Sequence, residues 1–214
     1  MILATRRALV ITTAVLGLVT GLSRSTHAQV IVYTETGTLS GTLGGTAFTN
    51  AAVTITTTST VNNIVFTSFS GGAIPAYTNT GTTTIQIAGF GLATFNGTDS
   101  IGALSGDLSA LQPGLGIVGI YDYTLGNALL FNPYTIPALY DLSTPATYTG
   151  AGISNDITVS TTLGTLVLTS SSATGNATFT TSLAAVPETS PLLMSALAAP
   201  IGLAAVRFRR RRKA

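Results

Sequence analysis

Residues 29–185 repeatedly alternate apolar side chains with threonine, and this period of two constrains the fold more than any other feature of the chain. Residues 53–56, for example, read Val-Thr-Ile-Thr. The same alternation recurs in residues 84–87, 157–160 and 177–180. A period of two sends one set of side chains to a core and the other to water. Because valine, isoleucine and threonine also favour strands, we expect an all-β domain.

Turn signals recur along the same segment and favour an antiparallel β-sandwich-like domain over a fold of alternating strands and helices. Gly44-Gly45 and Asn96-Gly97 each predict a hairpin turn. We expect a short helical turn within residues 105–113, and a strand followed by an ordered loop in residues 121–148. A disordered, low-complexity stalk is the alternative, but the interleaved Ile, Val, Phe and Leu offer too much material for a core.

The basic residues are confined to the two ends of the chain. All nine lie outside residues 29–185, at Arg6, Arg7, Arg24, Arg207, Arg209, Arg210, Arg211, Arg212 and Lys213. The segment between them keeps six of the seven acids, for a formal charge of −6, at Glu35, Asp99, Asp107, Asp122, Asp141 and Asp156. The pI of about 9.2 therefore describes the ends. Nucleic-acid binding is not expected of a body without cations.

The N-terminal 28 residues predict a secretory signal peptide with a signal helix. Arg6 and Arg7 provide the charged start, and residues 8–22 form a mostly apolar run. Small residues precede the expected cut between Ala28 and Gln29. An uncleaved membrane anchor is the alternative, although the run is short for a hydrocarbon core of about 30 Å. Cleavage would remove His27, the one histidine of the chain.

The C-terminal segment, residues 186–214, has three parts. A short motif comprises Val186, Pro187, Glu188, Thr189 and Ser190. Residues 191–206 carry no charge and predict a transmembrane helix, which would rise only about 24 Å. The Arg-rich end, Arg207 to Lys213, predicts a stop-transfer signal and a cytoplasmic C terminus. The sequence therefore divides into a leader (1–28), a Thr- and Gly-rich extracellular β-domain (29–185) and this tail.

The tail resembles the PEP-CTERM sorting signal of Gram-negative bacteria, in which a Pro-Glu-Pro motif precedes a membrane segment and an Arg-rich end. Residues 186–190 match the family's usual Val-Pro-Glu-Pro-Ser, except that Thr189 replaces the second proline. The resemblance implies an exosortase as processing partner, a membrane-embedded transpeptidase-like protease that cuts near the motif and releases or transfers the body. It also implies association with exopolysaccharide and biofilm systems. A single-pass anchor that is never cut is the alternative.

The body offers few groups for chemistry. It has no cysteine, lysine, arginine or histidine, so most nucleophile and acid–base arrangements are missing and we expect no enzyme activity, cofactor or metal. Carboxylate pairs such as Asp99 with Asp107, or Asp122 with Asp141, are weak candidates. Residues 96–100 and 154–156 could offer oxygen ligands to Ca²⁺. Hydrogen bonding within turns is the favoured use of these acids.

Three functional classes remain. The first is an exported structural protein of the cell surface or extracellular matrix, anchored transiently in the inner membrane and then sorted by its tail. The second is a carbohydrate-binding module, for which five tyrosines could form a stacking platform, namely Tyr121, Tyr123, Tyr134, Tyr140 and Tyr148. The third is an ice-binding surface built on threonine rows such as Thr34, Thr36 and Thr38. It requires a flat array, and the sequence shows no fixed repeat.

Overall fold

The chain folds into antiparallel strands, as its alternating pattern predicts. A computed structural model describes residues 28–69, 72–97, 101–135, 138–169 and 176–184. Its strands are β1 (Val30–Leu43), β2 (Thr46–Thr60), β3 (Val65–Phe69), β4 (Ile74–Thr80), β5 (Thr82–Ile87), β6 (Leu92–Thr94), β7 (Ile101–Asp107), β8 (Leu115–Asp122), β9 (Asn127–Thr135), β10 (Ala146–Ala151), β11 (Ile157–Thr161), β12 (Gly164–Leu168) and β13 (Asn176–Leu183). A 3-10 turn, Val61–Asn63, follows β2. The expected signal and transmembrane helices lie outside the described residues.

Two sheets pack face to face in a sandwich-like arrangement. The smaller sheet has the order β3-β4-β7-β8-β9, and the larger contains the path β10-β13-β1-β2-β5-β6 together with β11 and β12. Their facing sides share one hydrophobic core, to which Ile55 and Phe179 contribute from the larger sheet and Val118 and Leu130 from the smaller. The all-β, antiparallel, sandwich-like prediction is therefore confirmed.

Strand β1 organises the larger sheet. One side of β1 pairs with β2 along almost its whole length. The other side is shared, because β13 pairs with its first half and β12 with residues 41–43. A register shift between Leu39 and Gly41 marks the change. A bulge of this kind bends the strand, and here it separates the part of β1 that contacts β13 from the part that contacts β12.

The larger sheet closes on itself at one end. Phe95, just after β6, forms a bridge with Thr161 at the end of β11. The Thr162 N–H donates to the Thr94 carbonyl at 2.9 Å, and the Asn96 N–H donates to the Ser160 carbonyl at 3.0 Å. Since β11 pairs with β12 and β12 with β1, these contacts complete a ring of six strands, β1-β2-β5-β6-β11-β12.

One of the two hairpin predictions is confirmed and the other is wrong. Gly44 and Gly45 join β1 to β2 and both have positive φ, 57° and 83°. Asn96-Gly97 also turns, with φ of 74° at Gly97, but β6 pairs with β5 and not with β7. The chain crosses here from the larger sheet to the smaller one, because the edge of β6 is taken by the β11 contacts.

The expected helical turn in residues 105–113 is one hydrogen-bonded turn that follows strand β7. The Gln112 N–H donates to the Leu108 carbonyl at 2.8 Å. Residues 121–148 begin in strands β8 and β9 and continue into a connection that leads to β10. That part agrees with the expected strand and loop.

Candidate functional site

The sorting residues lie outside the described part of the chain. This holds for Val186, Pro187, Glu188, Thr189 and Ser190, and for Arg207, Arg209, Arg210, Arg211, Arg212 and Lys213. At the expected leader cut, Ala28 is half-buried and Gln29 is exposed. The Gln29 carbonyl accepts a hydrogen bond from the Val61 N–H at 2.9 Å, which joins the start of the described chain to the residue that follows β2. Among the described residues there is no helix with the length and apolar character needed to cross a membrane.

The outer face of the larger sheet carries rows of threonines that run across the strands. Cross-strand register places one threonine from each of six neighbouring strands in a single row, in the order Thr147, Thr180, Thr34, Thr56, Thr84 and Thr94. A parallel row contains Thr149, Thr178, Thr36 and Thr54. Neighbouring strands are about 4.8 Å apart, and alternate residues of one strand are about 6.7 Å apart. This face is therefore a two-dimensional array of hydroxyl and methyl groups.

The five tyrosines proposed as one stacking platform divide into two clusters. Tyr134, Tyr140 and Tyr148 pack together, with ring centroids 4.5 Å apart for Tyr134 and Tyr148 and 5.4 Å for Tyr140 and Tyr148. This cluster contacts the core between the sheets, and Tyr140 is buried in it. The Tyr140 hydroxyl donates to the Thr144 carbonyl at 2.5 Å. Burial raises the pKa of Tyr140 to about 12. Tyr140 is therefore a core residue, and Tyr134 and Tyr148 are half-buried beside it.

Tyr121 and Tyr123 belong to a second cluster on the outer face of the smaller sheet. The ring of Tyr121 stacks on Phe131, with centroids 5.6 Å apart and planes 4° apart. Tyr123 and Phe69 pack against Tyr121 from other sides, at 5.1 and 6.1 Å. Leu104 and Ile117 complete the outer aromatic cluster. Tyr121 and Phe69 are half-buried, so this cluster presents partly uncovered rings to solvent.

Glu35 is a fully buried carboxyl in the middle of β1, between the two sheets. Its Oε2 accepts a hydrogen bond from the Ile120 N–H at 2.9 Å. Its Oε1 has no hydrogen-bond partner among the described residues. Burial raises the pKa of Glu35 well above its ordinary value, against a smaller lowering by the Ile120 hydrogen bond. Since the group has no contact with solvent, it could act on a substrate only if the sheets separated.

A buried polar network joins the two sheets near Glu35's strand. The Asn79 side-chain amide of β4 donates to the Tyr33 hydroxyl of β1 at 2.7 Å and to the Thr60 carbonyl at 3.1 Å. The Ser59 hydroxyl of β2 lies 2.7 Å from Asn79 Oδ1. The Tyr33 hydroxyl in turn donates to the Leu142 carbonyl at 3.0 Å. Burial raises the pKa of Tyr33 strongly. The network satisfies polar groups that the core would otherwise leave unpaired.

Three of the described aspartates hold turns. Asp107, Asp122 and Asp141 each accept a hydrogen bond from the backbone N–H two residues further on, at 2.8, 2.8 and 3.0 Å. Hydrogen bonds from Ser109 lower the pKa of Asp107. In the possible calcium stretch 154–156, Asn155 Oδ1 accepts from the Ala128 N–H at 2.9 Å and so joins this stretch to β9. The other stretch, 96–100, is described only as far as Gly97.

Sequence reasoning missed the buried polar residues and the threonine register. Glu35 and Asn79 lie at ordinary inward positions of their strands, and the alternating pattern could have identified them as polar residues on an apolar face. The threonine rows run perpendicular to the chain, so no repeat along the sequence reveals them. Comparisons with protein-family models, with curated proteins and with solved structures found no match to this chain.

Proposed function

We propose that the chain is an exported structural protein of the cell surface or extracellular matrix. An N-terminal signal helix directs export, and a transmembrane helix over residues 191–206 holds the protein transiently in the inner membrane. An exosortase-type enzyme then cuts near Pro187, and the β-domain remains at the surface or in an exopolysaccharide matrix. The domain has no catalytic role in this proposal, and it requires no cofactor.

The segregation of charge is the observation that supports this proposal most directly. Every basic residue lies in the leader or the tail, on either side of the segments that would enter a membrane. Positive charge at the ends of apolar segments sets their orientation in membranes and stops their transfer. The β-domain itself has a hydroxyl-rich outer face in the larger sheet. Such a face suits a hydrated matrix, because its hydroxyls can exchange hydrogen bonds with water or with sugars.

Intact mass of the mature protein tests the sorting. The chain would be expressed in a Gram-negative host with an exosortase, and the surface and secreted pools would be collected. We expect a product that begins at Gln29 and ends close to Pro187. A mature surface pool that retains Arg207 to Lys213 would contradict the proposal and identify an uncut single-pass anchor.

A matched pair of variants makes the test specific to the motif. Glu188→Gln changes the motif and keeps the apolar segment and the basic end, so we expect the uncut form to accumulate in the membrane fraction. Thr189→Pro restores the family's usual motif, and we expect it to raise the yield of cut product. If both variants gave the same products as the unchanged chain, the processing enzyme would not recognise the motif.

Carbohydrate binding is the second candidate. The observation in its favour is the outer aromatic cluster, where Tyr121 and Phe69 are partly uncovered on one face of a sheet. Aromatic rings give apolar contact area to sugar rings, and tyrosine adds a hydroxyl. Retention of the purified protein on matrix polysaccharides tests this candidate. We expect Tyr121→Ala to abolish retention and Tyr148→Phe, in the other cluster, to preserve it; equal retention of both would exclude the outer cluster as the site.

A further inference from the structure

Among the described strands, β3 is the sheet edge that other parts of the domain leave open. The edge of β9 is covered by residues 153–155, with the Phe131 N–H donating to the Ile153 carbonyl at 2.8 Å. Asn132 Nδ2 of β9 donates to the Tyr148 carbonyl of β10 at 3.1 Å, which ties those two edges together. The β6 edge is closed by β11. Of the strands within the described ranges, β4 alone pairs with β3.

Strand β3 exposes apolar side chains on both faces of its sheet. In a strand that is buried on one side, exposure alternates from one residue to the next. In β3 two consecutive residues are exposed, Val65 at 56 % and Phe66 at 61 %. Phe66 makes an edge-on ring contact with Tyr77, at 5.1 Å between centroids. An added strand would bury apolar surface on both faces of the sheet at once.

Strand β3 also lacks the features that normally prevent strands from adding to an edge. Soluble proteins protect such edges with charged side chains, proline or bulges. The sequence of β3 is Val-Phe-Thr-Ser-Phe, which has no charge and no proline, and its pairing with β4 runs without a bulge. A second copy would therefore meet no like charge within the strand, although each body is acidic.

We propose that β3 pairs antiparallel with β3 of a second copy of this chain. The strand is self-complementary when the two-fold axis passes through Thr67. Val65 then lies opposite Phe69, Phe66 opposite Ser68, and Thr67 opposite its own copy. Pairs of β-branched and aromatic residues across strands are favourable. A two-fold contact of this kind closes after one pairing and gives a continuous ten-stranded sheet from two five-stranded ones.

The pairing of two β3 strands would hold an isolated dimer only weakly, but many such pairings together would stabilise an assembly. Two five-residue strands bury less than the roughly 1,000 Å² of a stable interface. Display of many copies on one surface raises their effective concentration and compensates for weak single contacts. Self-pairing stands on the geometry of β3 alone, so it holds or fails independently of how the tail is processed.

Disulfide crosslinking of the full-length chain, purified in a mild detergent, tests the register. The chain has no cysteine of its own, so each single substitution reports one contact. Directly opposite residues of antiparallel strands have Cα atoms about 4.5–5.5 Å apart, which a disulfide can bridge. Under mild oxidation we expect Thr67→Cys to form covalent dimer readily.

Val65→Cys is the matched control, because it is on the same strand and is more exposed than Thr67. In the proposed register two copies of Val65 lie four residues apart along the paired strands, about 13 Å. We expect roughly tenfold less dimer from Val65→Cys than from Thr67→Cys, since only the latter has bridging geometry. Equal dimer from both, or more from Val65→Cys, would overturn the proposal by showing random collision.

A second variant tests whether strand pairing brings the cysteines together. Phe66→Lys places a charge on the exposed edge without disturbing a buried side chain. Combined with Thr67→Cys, it should reduce crosslinked dimer about tenfold through like-charge repulsion across the two-fold axis. Circular dichroism would verify that the sheet content is unchanged. Undiminished crosslinking in the double variant, with the fold intact, would contradict strand pairing.

Discussion

The carboxyl group of Glu35 is surrounded by the core of a domain that has no basic residue in residues 29–185 to compensate it. A buried carboxylate without a cation is far less favourable than the protonated acid. The residue therefore lowers stability whenever pH favours ionisation of the unfolded chain. The buried Asn79 amide differs from Glu35, because both its nitrogen and its oxygen have hydrogen-bond partners, which come from β1 and β2 of the opposite sheet.

Replacement of Glu35 should remove a pH dependence of folding. Above the ordinary glutamate pKa of 4.5 the unfolded chain releases the proton and the folded chain keeps it. The free energy of unfolding should then fall by about 1.4 kcal/mol per pH unit until the raised folded pKa is reached. We expect Glu35→Gln to lack this fall in urea denaturation between about pH 5 and 8. Equal slopes for both proteins would refute the assignment.

Asp107 provides a control, because its pKa is shifted in the opposite direction to that of Glu35. Its pKa is lowered by Ser109, so its contribution is present above the ordinary aspartate pKa of 3.8 and is lost as pH falls through the lowered value. The Asp107→Asn variant should therefore keep the slope between about pH 5 and 8. Any difference from the unchanged protein should appear only in more acidic solution.

Removal of the Asn79 side chain should destabilise the domain. Asn79→Ala leaves the buried Ser59 hydroxyl without its 2.7 Å partner and the Tyr33 hydroxyl without a donor. The Ser59 hydroxyl keeps the Thr80 carbonyl as acceptor, and the Tyr33 hydroxyl keeps the Leu142 carbonyl. We expect a loss of about 2–3 kcal/mol, measured by urea denaturation, because three hydrogen bonds of the buried Asn79 amide are removed. Asn62→Ala, at an exposed position, should change stability by less than about 0.5 kcal/mol. Similar losses in both variants would show that the network contributes little.

At the scale of elements, the packing of β8 against its neighbour β9 and against Glu35 of the opposite sheet depends on a glycine of β8. A Cβ atom added at Gly119 would lie 2.2 Å from the Leu130 carbonyl oxygen, 2.5 Å from the Phe131 ring and 2.7 Å from Glu35 Oε2. The first of these atoms is backbone and cannot move aside without moving β9. Gly106 in β7 is different, since its nearest neighbour would be the Ile117 side chain at 3.4 Å.

Alanine substitution at these two glycines of the smaller sheet should lower the free energy of unfolding by different amounts. Gly119→Ala should destabilise the domain by about 3 kcal/mol, the upper end of the range for overpacked cores. Gly106→Ala should cost less than about 1 kcal/mol. Thermal or urea denaturation of the two variants measures the difference. Tolerance of alanine at position 119 would mean that β9 and Glu35 lie further from Gly119 than the structure places them.

The threonine rows also make a prediction at this scale. Sheets twist by roughly 20–25° per strand, so a row that crosses six strands turns by about 100° between its ends. A flat ice lattice cannot match such a row along its length. We therefore expect no thermal hysteresis from the purified protein in nanolitre osmometry. Hysteresis that disappears in Thr56→Val and persists in Thr158→Val would reverse this conclusion.

Sequence reasoning succeeded where a property belongs to one strand and failed where it depends on a partner strand. The alternation in residues 53–56 or 157–160 reports burial on one side, which is local, and both are strands. Asn96-Gly97 predicts a hairpin, but the chain only bends there, because turn chemistry does not say which strand the chain pairs with next. The division of Tyr121 and Tyr148 between two clusters likewise depends on which face each strand presents, which the register of distant strands decides.

Across the whole molecule, hydrogen-bonded strand pairing is unevenly distributed among the described strands. Strand β1 has neighbours on both sides over most of its length, whereas β3 has one neighbour. Local opening requires least energy where few contacts are broken. The centre of the larger sheet should therefore be the most stable part of the domain.

Hydrogen exchange should reveal this gradient. In dilute protein we expect the amides of β3 to exchange faster than those of β1 and β2 by orders of magnitude. Exchange measured by mass spectrometry on peptides from residues 30–43 and 65–69 would provide the comparison. Equal protection of both segments would contradict the assignment of β3 as an open edge.

The first and last strands also determine how the domain would be held by a tether. The Ala184 N–H donates to the Val30 carbonyl at 2.9 Å, so both ends of the described chain leave the domain side by side. The Gly44-Gly45 turn lies at the far end of β1, about 45 Å away for a strand of 14 residues. A load applied at the C terminus would peel β13 from both of its neighbours, β1 and β10, one hydrogen bond at a time, beginning at Ala184. The domain should therefore yield at low force when pulled from its tail, while its far tip stays intact.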